Sequence, residues 1–300
     1  MRFLTACKNY SLLGLLGICA FLPYSWLIQI GHGLGWCASK IPNKRKRVIE
    51  TNLRLCFPEL THKERANLAK KHWQLLGRSF LERGKFWLRG QKTIRKLVTI
   101  HPNTNLNDGK QRLYLNMHFI GLEAGLIAAE SYIKDIEGPK TYSLYTPFKN
   151  KFFEARIKKW RERFGAQMLP RQQSMRQIIR IIRSGGIMNI APDMDLGKQD
   201  SVFAPFFGIS TCTVSSIARL AQIANVEVCP IITTLRADAS GYDCFIGPTW
   251  SDFPTGNAIA DATRMNAFFE TWIKPRIGEY WWVHKRFKSR PAEEPSFYNF

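Results

Sequence analysis

His118 is the residue around which chemistry can be built. It follows the apolar run 112–117 (RLYLNM), and Glu123 lies five residues later, beyond Gly121. Loops at the carboxyl ends of sheet strands are where α/β proteins place reacting groups. An imidazole with an ordinary pKa near ~6.5 accepts a hydroxyl proton at neutral pH. A carboxylate at its second nitrogen would fix the tautomer and stabilise the imidazolium that forms. The spacing therefore predicts His118 as a general base supported by Glu123. The plain structural alternative is a histidine bonded to backbone, with Glu123 merely favouring a helix N-terminus. The other five histidines are scattered and supply neither a second base nor a metal triad.

The elements that would position these residues alternate strand and helix. Thr61-His-Lys-Glu64 is a capping box that starts a helix running toward Gly90. Strands are expected at 97–100, 112–117, 141–145, 187–190, 226–235 and 242–246, the last as a hairpin partner of its predecessor. Helices are expected at 121–130, 149–164, 171–183, 213–224 and 258–277. Met175, Ile178, Ile179 and Ile182 form the i, i+3, i+4, i+7 stripe of a core-facing helix. This alternation predicts an α/β fold, a single mixed-sheet domain with surrounding helices over 41–300.

Residues 1–40 read differently. No Asp, Glu, Lys or Arg occurs between 9 and 39, and 12–30 reads LLGLLGICAFLPYSWLIQI. As a helix that stretch would rise roughly 28 Å, close to the ~30 Å hydrocarbon thickness of a bilayer. It predicts one N-terminal transmembrane helix, kinked at Pro23, rather than a cleaved signal peptide or a buried core helix. The basic flank Lys40, Lys44, Arg45, Lys46 and Arg47 outweighs Arg2 and Lys8. By the positive-inside bias, 41–300 would lie on the cytoplasmic side of a single-pass anchor.

Composition narrows the partners. Lys and Arg number 44 against 23 Asp and Glu, a formal net charge of +21, while 45% hydrophobic content excludes a disordered polybasic chain. The seven cysteines show no zinc, haem or thioredoxin spacing. Segment 149–164 sets Lys149, Lys151, Lys158 and Lys159 against Phe153, Ile157, Trp160 and Phe164 at helical spacing. One side suits a core, the other an acidic protein or anionic lipid headgroups. The tail combines Tyr280, Trp281 and Trp282 with Lys285, Arg286, Lys288 and Arg290, residue types that suit a membrane interface. No RNA-binding module accompanies them, so nucleic acid is not an expected partner.

Five motifs occur in one order. They are Asn116-x-His118-x4-Glu123, Arg161-Glu-Arg-Phe-Gly165, Ala191-Pro-Asp193-Met-Asp195, Pro205-Phe-Phe-Gly208, and Trp282-Val-His284-Lys-Arg286-Phe-Lys-Ser-Arg290-Pro291. Over nearly the whole chain this set resembles the late acyltransferases of lipid A biosynthesis, the lauroyl/myristoyl transferase family. The resemblance implies transfer of a fatty acyl chain from acyl carrier protein to a hydroxyl of a Kdo-bearing lipid A precursor, at the bacterial inner membrane. It implies His118 as base and Glu123 as its orienting acid, with neither metal nor cofactor. Arg161 and Asp193 match positions that the family treats as functional. A guanidinium at 161 can hold a thioester oxyanion or a lipid phosphate, and Asp193 can position Arg161 or a substrate hydroxyl. An ordinary ion pair is the structural alternative for these two, and a turn residue for Asp195. The chain departs from the family at Tyr145-Thr146-Pro147, where relatives commonly carry Tyr-Arg-Pro. Two other readings remain: the same fold acylating another membrane glycolipid or a glycerophospholipid, and a noncatalytic basic membrane adaptor.

Overall fold

A computed structural model describes residues 2–300 of the chain, with side chains from Ala6 onward. The flanking cation Arg2, named above, has its side chain outside the described residues. Five helices come first: α1 (Arg2–Phe21), α2 (Tyr24–Lys40), α3 (Lys44–Cys56), α4 (His62–Leu88) and α5 (Gln91–Leu97). Then follow β1 (Val98–Pro102), β2 (Arg112–Asn116), α6 (Leu122–Asp135), β3 (Thr141–Tyr145), α7 (Lys151–Arg161), β4 (Gln167–Pro170) and α8 (Met175–Arg183). The chain continues through β5 (Ile187–Ile190), β6 (Ser201–Phe206), β7 (Ile209–Val214), α9 (Ser216–Ala224), β8 (Glu227–Leu235), β9 (Tyr242–Ile246) and α10 (Ala258–Ile273).

Seven strands form one mixed sheet in the order β1-β9-β8-β2-β5-β3-β4, with every pair parallel except β8/β9. The expected α/β sheet is present, including the antiparallel 242–246 strand. β2 and β5 lie side by side at its centre and are buried along their whole length, as strands covered on both faces must be. The reading by periodicity did not resolve β4 or the separate β6–β7 hairpin. Both are short or only partly buried, so their alternation is weak.

The predicted transmembrane helix is overturned. Residues 12–30 are not one helix but are divided between α1 and α2, broken where Pro23 takes an extended conformation (φ −51°, ψ 138°) as the N-cap of α2. Among the described residues, no helix is long and apolar enough to cross a membrane. The single-pass placement in an inner membrane, and the orientation deduced from it, fall with that helix. The physical cause is a ring that cannot continue a helix, followed by glycines serving a different purpose.

That purpose is close packing. α2 buries Leu27, Gly31, Gly35 and Ser39 against α4. A Cβ at Gly35 would stand 2.1 Å from the Trp73 carbonyl oxygen, and one at Gly77 would stand 2.1 Å from that of Gly31. Gly84 of α4 makes the same approach to Leu16 and Ala20 of α1. Only residues without Cβ permit backbones to touch in this way. A buried network then fastens the break between α1 and α2. Lys85 Nζ donates to the carbonyls of Ala20 (3.2 Å) and Leu22 (2.6 Å). Glu82, 1% exposed, accepts from Tyr24 Oη (2.6 Å), from Arg78 Nε (2.7 Å) and from Tyr242 of β9.

Gly77→Ala is therefore expected to lower the unfolding free energy by about 3 kcal/mol, because neither helix backbone can yield without displacing the other. Gly14→Ala, built into open space, is expected to be neutral or slightly stabilising. Thermal melts of the two variants check both.

Candidate active site

The sheet register brings the first two site residues together. In the parallel pair β2/β5, Leu115 lies opposite Ile190. Three residues beyond each of these positions stand His118 and Asp193, at the carboxyl end of the sheet. Asp193 accepts two hydrogen bonds from His118: the ring Nδ1 lies 2.6 Å from Oδ1, and the main-chain amide donates to Oδ2 at 2.8 Å. Asp193 is only 1% exposed, whereas the imidazole keeps 25%, so Nε2 is the nitrogen left for a substrate. Burial by itself would lower the imidazole pKa, but the adjacent carboxylate charge and its hydrogen bond outweigh burial and raise it. For Asp193, burial pulls upward, and the charge and donors of His118 reverse that to a net lowering.

Glu123 has other partners. It sits in the first turn of α6, where a carboxylate is favoured by the helix dipole. Its oxygens accept from Arg161 Nε (2.8 Å) and Nη2 (2.5 Å), and from Trp87 Nε1 of α4 (2.6 Å). The carboxylate that touches His118 is Asp193, and the one that holds Arg161 is Glu123. This exchanges the roles that the sequence reading gave the two acids. Arg161 is the last residue of α7, and the bidentate fork fixes its guanidinium. Burial works against charge on both partners, but their mutual attraction prevails: Glu123 is lowered and Arg161 raised. Trp87 also stacks on Trp160 of α7, with ring centroids 5.7 Å apart.

The loop carrying Asp193 is clamped by the C-terminal tail. Tyr280 Oη donates to the Asp193 carbonyl (3.3 Å), and the His284 ring Nε2 accepts from the Asp195 amide (2.9 Å). The Asp195 carboxylate accepts from the Ser289 amide (2.6 Å) and hydroxyl (2.9 Å). On the other side, the Trp281 amide donates to the His118 carbonyl (2.9 Å), and that of Ile120 to the Glu279 carbonyl (2.8 Å). Burial pushes His284 down to about 4, so it remains a neutral acceptor.

The tail is therefore not the membrane-facing belt that its composition suggested. Trp282 and Phe287 are fully buried, and Arg286 donates to the Cys212 carbonyl (2.7 Å) and Thr213 Oγ1 (3.1 Å). Asp195 is likewise more than a turn residue. Sequence reading leaves Trp87 unnamed, and Tyr280 and His284, named only as part of the tail, give no sign of the loop they hold, since each lies far in the chain from its partner. Among the described residues, no three His, Cys, Asp or Glu side chains gather closely enough to hold a metal ion. An open depression lined by Pro102, Asn105, Tyr132 and Ile136 lies toward the far end of α6 and shares no residue with this site.

Glu123→Ala removes the acceptor of both Arg161 and Trp87. It is expected to lower the unfolding free energy by about 3 kcal/mol, with Glu123→Gln losing roughly half as much. Urea denaturation of the two variants measures the difference.

Whole-chain comparisons place the chain in a family. A profile described as bacterial lipid A biosynthesis acyltransferase matches residues 2–289. The chain is 29% identical over 291 residues to the lipid A biosynthesis palmitoleoyltransferase of Escherichia coli K12, covering 95% of this chain and 92% of that protein. It is 28% identical over 292 residues to the lipid A biosynthesis lauroyltransferase of the same organism, covering 95% and 93%. A lipid A biosynthesis acyltransferase of Haemophilus influenzae is 31% identical over 285 residues, covering 93% and 89%. The chain belongs to the bacterial lipid A biosynthesis acyltransferase family.

Proposed function

We propose that this acyltransferase moves a fatty acyl chain from an acyl carrier protein thioester to a hydroxyl of a Kdo-bearing lipid A precursor, with His118 as general base. The observation that carries the reading is the buried Asp193 carboxylate holding both the ring and the amide of His118. With Nδ1 engaged, Nε2 takes the acceptor hydroxyl proton as the oxygen attacks the thioester carbonyl. The C–O bond forms, the C–S bond breaks, and the departing thiolate takes the proton back from the imidazolium. Asp193 stabilises that imidazolium. Arg161, fixed by Glu123, offers a preorganised cation to negative charge on the substrate.

Charge on α7 supports an acidic donor. Its apolar residues Phe153, Ile157 and Trp160 pack inward, while Lys151 and Lys159, and Lys149 just before the helix, are exposed and have no ion-pair partner among the described residues. The helix ends at Arg161, so the basic surface leads toward the reacting groups. For the lipid acceptor, Leu12, Leu15, Ile18 and Phe21 form an exposed row on α1, alongside exposed Trp26 and Ile30 on α2. Such an apolar surface suits contact with a bilayer surface without crossing it.

Purified protein given carrier-protein thioester and Kdo-bearing precursor is expected to yield a product heavier by one acyl group. His118→Ala should reduce turnover about a hundredfold or more; unimpaired transfer by that variant contradicts the assignment. Because the His118 pKa is raised, activity should fall on acidification at a pH above ~6.5, as the base becomes protonated. Asp193→Asn removes the raising influences and leaves burial, so the acid limb should move to lower pH while kcat drops. Lys151→Glu combined with Lys159→Glu should raise KM for the carrier-protein donor several-fold at low salt, and the difference should shrink as salt screens it.

A further inference from the structure

One face of α4 carries Phe80, Arg83 and Trp87, spaced so that they line up along the helix. The Arg83 guanidinium lies 4.3 Å from the centroid of the Phe80 ring and 5.6 Å from that of Trp87. Arg161 lies 6.0 Å from the same Trp87 ring, whose Nε1 donates to Glu123. Two guanidinium groups thus flank one indole, and the carboxylate that accepts from that indole bonds only one of them, Arg161.

That carboxylate accepts three hydrogen bonds, two from Arg161 and one from Trp87, and none from Arg83. Arg83 is partly buried and has no hydrogen-bond or ion-pair partner among the described residues. The buried arginines elsewhere are all matched: Arg78 by Glu82, Arg112 by Asp108, Arg286 by a carbonyl and a hydroxyl, Arg290 by Glu294 and the Ser210 carbonyl. Glu130, also on α6, supplies no counter-charge, since burial and then the charge of Glu123 hold its carboxyl well above the usual range. Arg83 is therefore a partly buried cation with no anion against it among the described residues.

We propose that Arg83 binds a phosphate group of the glycolipid acceptor and so helps to position its headgroup. The inference rests on the acyl-transfer reading above and adds a specificity residue to it. A guanidinium matches a phosphate oxyanion in a bidentate geometry. Phe80, 50% exposed next to it, gives the apolar part of an amphiphile a surface. Helix α4 also packs against α1, which carries the exposed apolar row, whereas the basic side suited to an acidic protein donor is on α7. The lipid acceptor is thus the source of the anion that the surroundings favour over the donor.

The test uses the full chain and two matched acceptors, one with its phosphate groups and one with them removed. Wild-type protein should favour the phosphorylated acceptor in kcat/KM, and Arg83→Gln should reduce that preference about tenfold, through KM. Arg83→Lys should recover part of it. An unchanged preference in Arg83→Gln, a wild type that does not discriminate, or a rise confined to the donor KM overturns the proposal. Equilibrium binding to detergent micelles carrying each acceptor reads the same preference without turnover. Discriminating binding without acyl transfer would sink the acyl-transfer reading and leave Arg83's role standing. Transfer that ignores the Arg83 substitution would do the reverse.

Discussion

A carboxylate sealed to 1% exposure stays charged only where donors meet it, and both donors at Asp193 belong to His118. The double contact fixes the imidazole more firmly than a ring contact alone, since rotating the side chain leaves the amide bond in place and the carboxylate aimed. Much of the carboxyl half of the chain holds this pair in register. β2 and β5 deliver the two residues side by side, and Tyr280 and His284 clamp the loop that follows β5. The buried Arg286 then ties that tail to the β6–β7 hairpin through Cys212 and Thr213. A hairpin that carries none of the site residues thereby helps to hold the loop that follows β5.

Helix α4, 27 residues long, is the second organiser. Its glycines admit the backbones of α1 and α2, its Glu82 ties Tyr24 to Tyr242 of the sheet, and its Trp87 steadies Glu123. A single rigid rod therefore connects an apolar N-terminal helix pair with the charged groups at the reaction centre.

How far all this was legible in the sequence differs by element. The central strands and the capping box of α4 declared themselves through apolar runs and side-chain chemistry that depend on neighbours in the chain. His118 was legible because it ends such a run. Its acid was not, because the nearest carboxylate in sequence, Glu123, competes with one 75 positions away that only strand pairing brings near. The misread tail has the same origin: Trp282 and Arg286 carry the composition of a membrane interface, but packing and carbonyl partners absorb them. In the N-terminal region, the long apolar run reads as one helix kinked at Pro23, whereas Pro23 divides it into two and Gly31 and Gly35 face another helix, which hydropathy does not register. Hydropathy reports what a segment avoids, and not which surface covers it.

The most direct test is nitrogen NMR of histidine-labelled protein, following the His118 ring through pH in wild type, Asp193→Asn and Glu123→Gln. The account predicts a wild-type pKa above the ordinary ~6.5, a clear fall in Asp193→Asn, and little change in Glu123→Gln. A His118 that titrates alike in wild type and Asp193→Asn, yet shifts when Glu123 is neutralised, would contradict it.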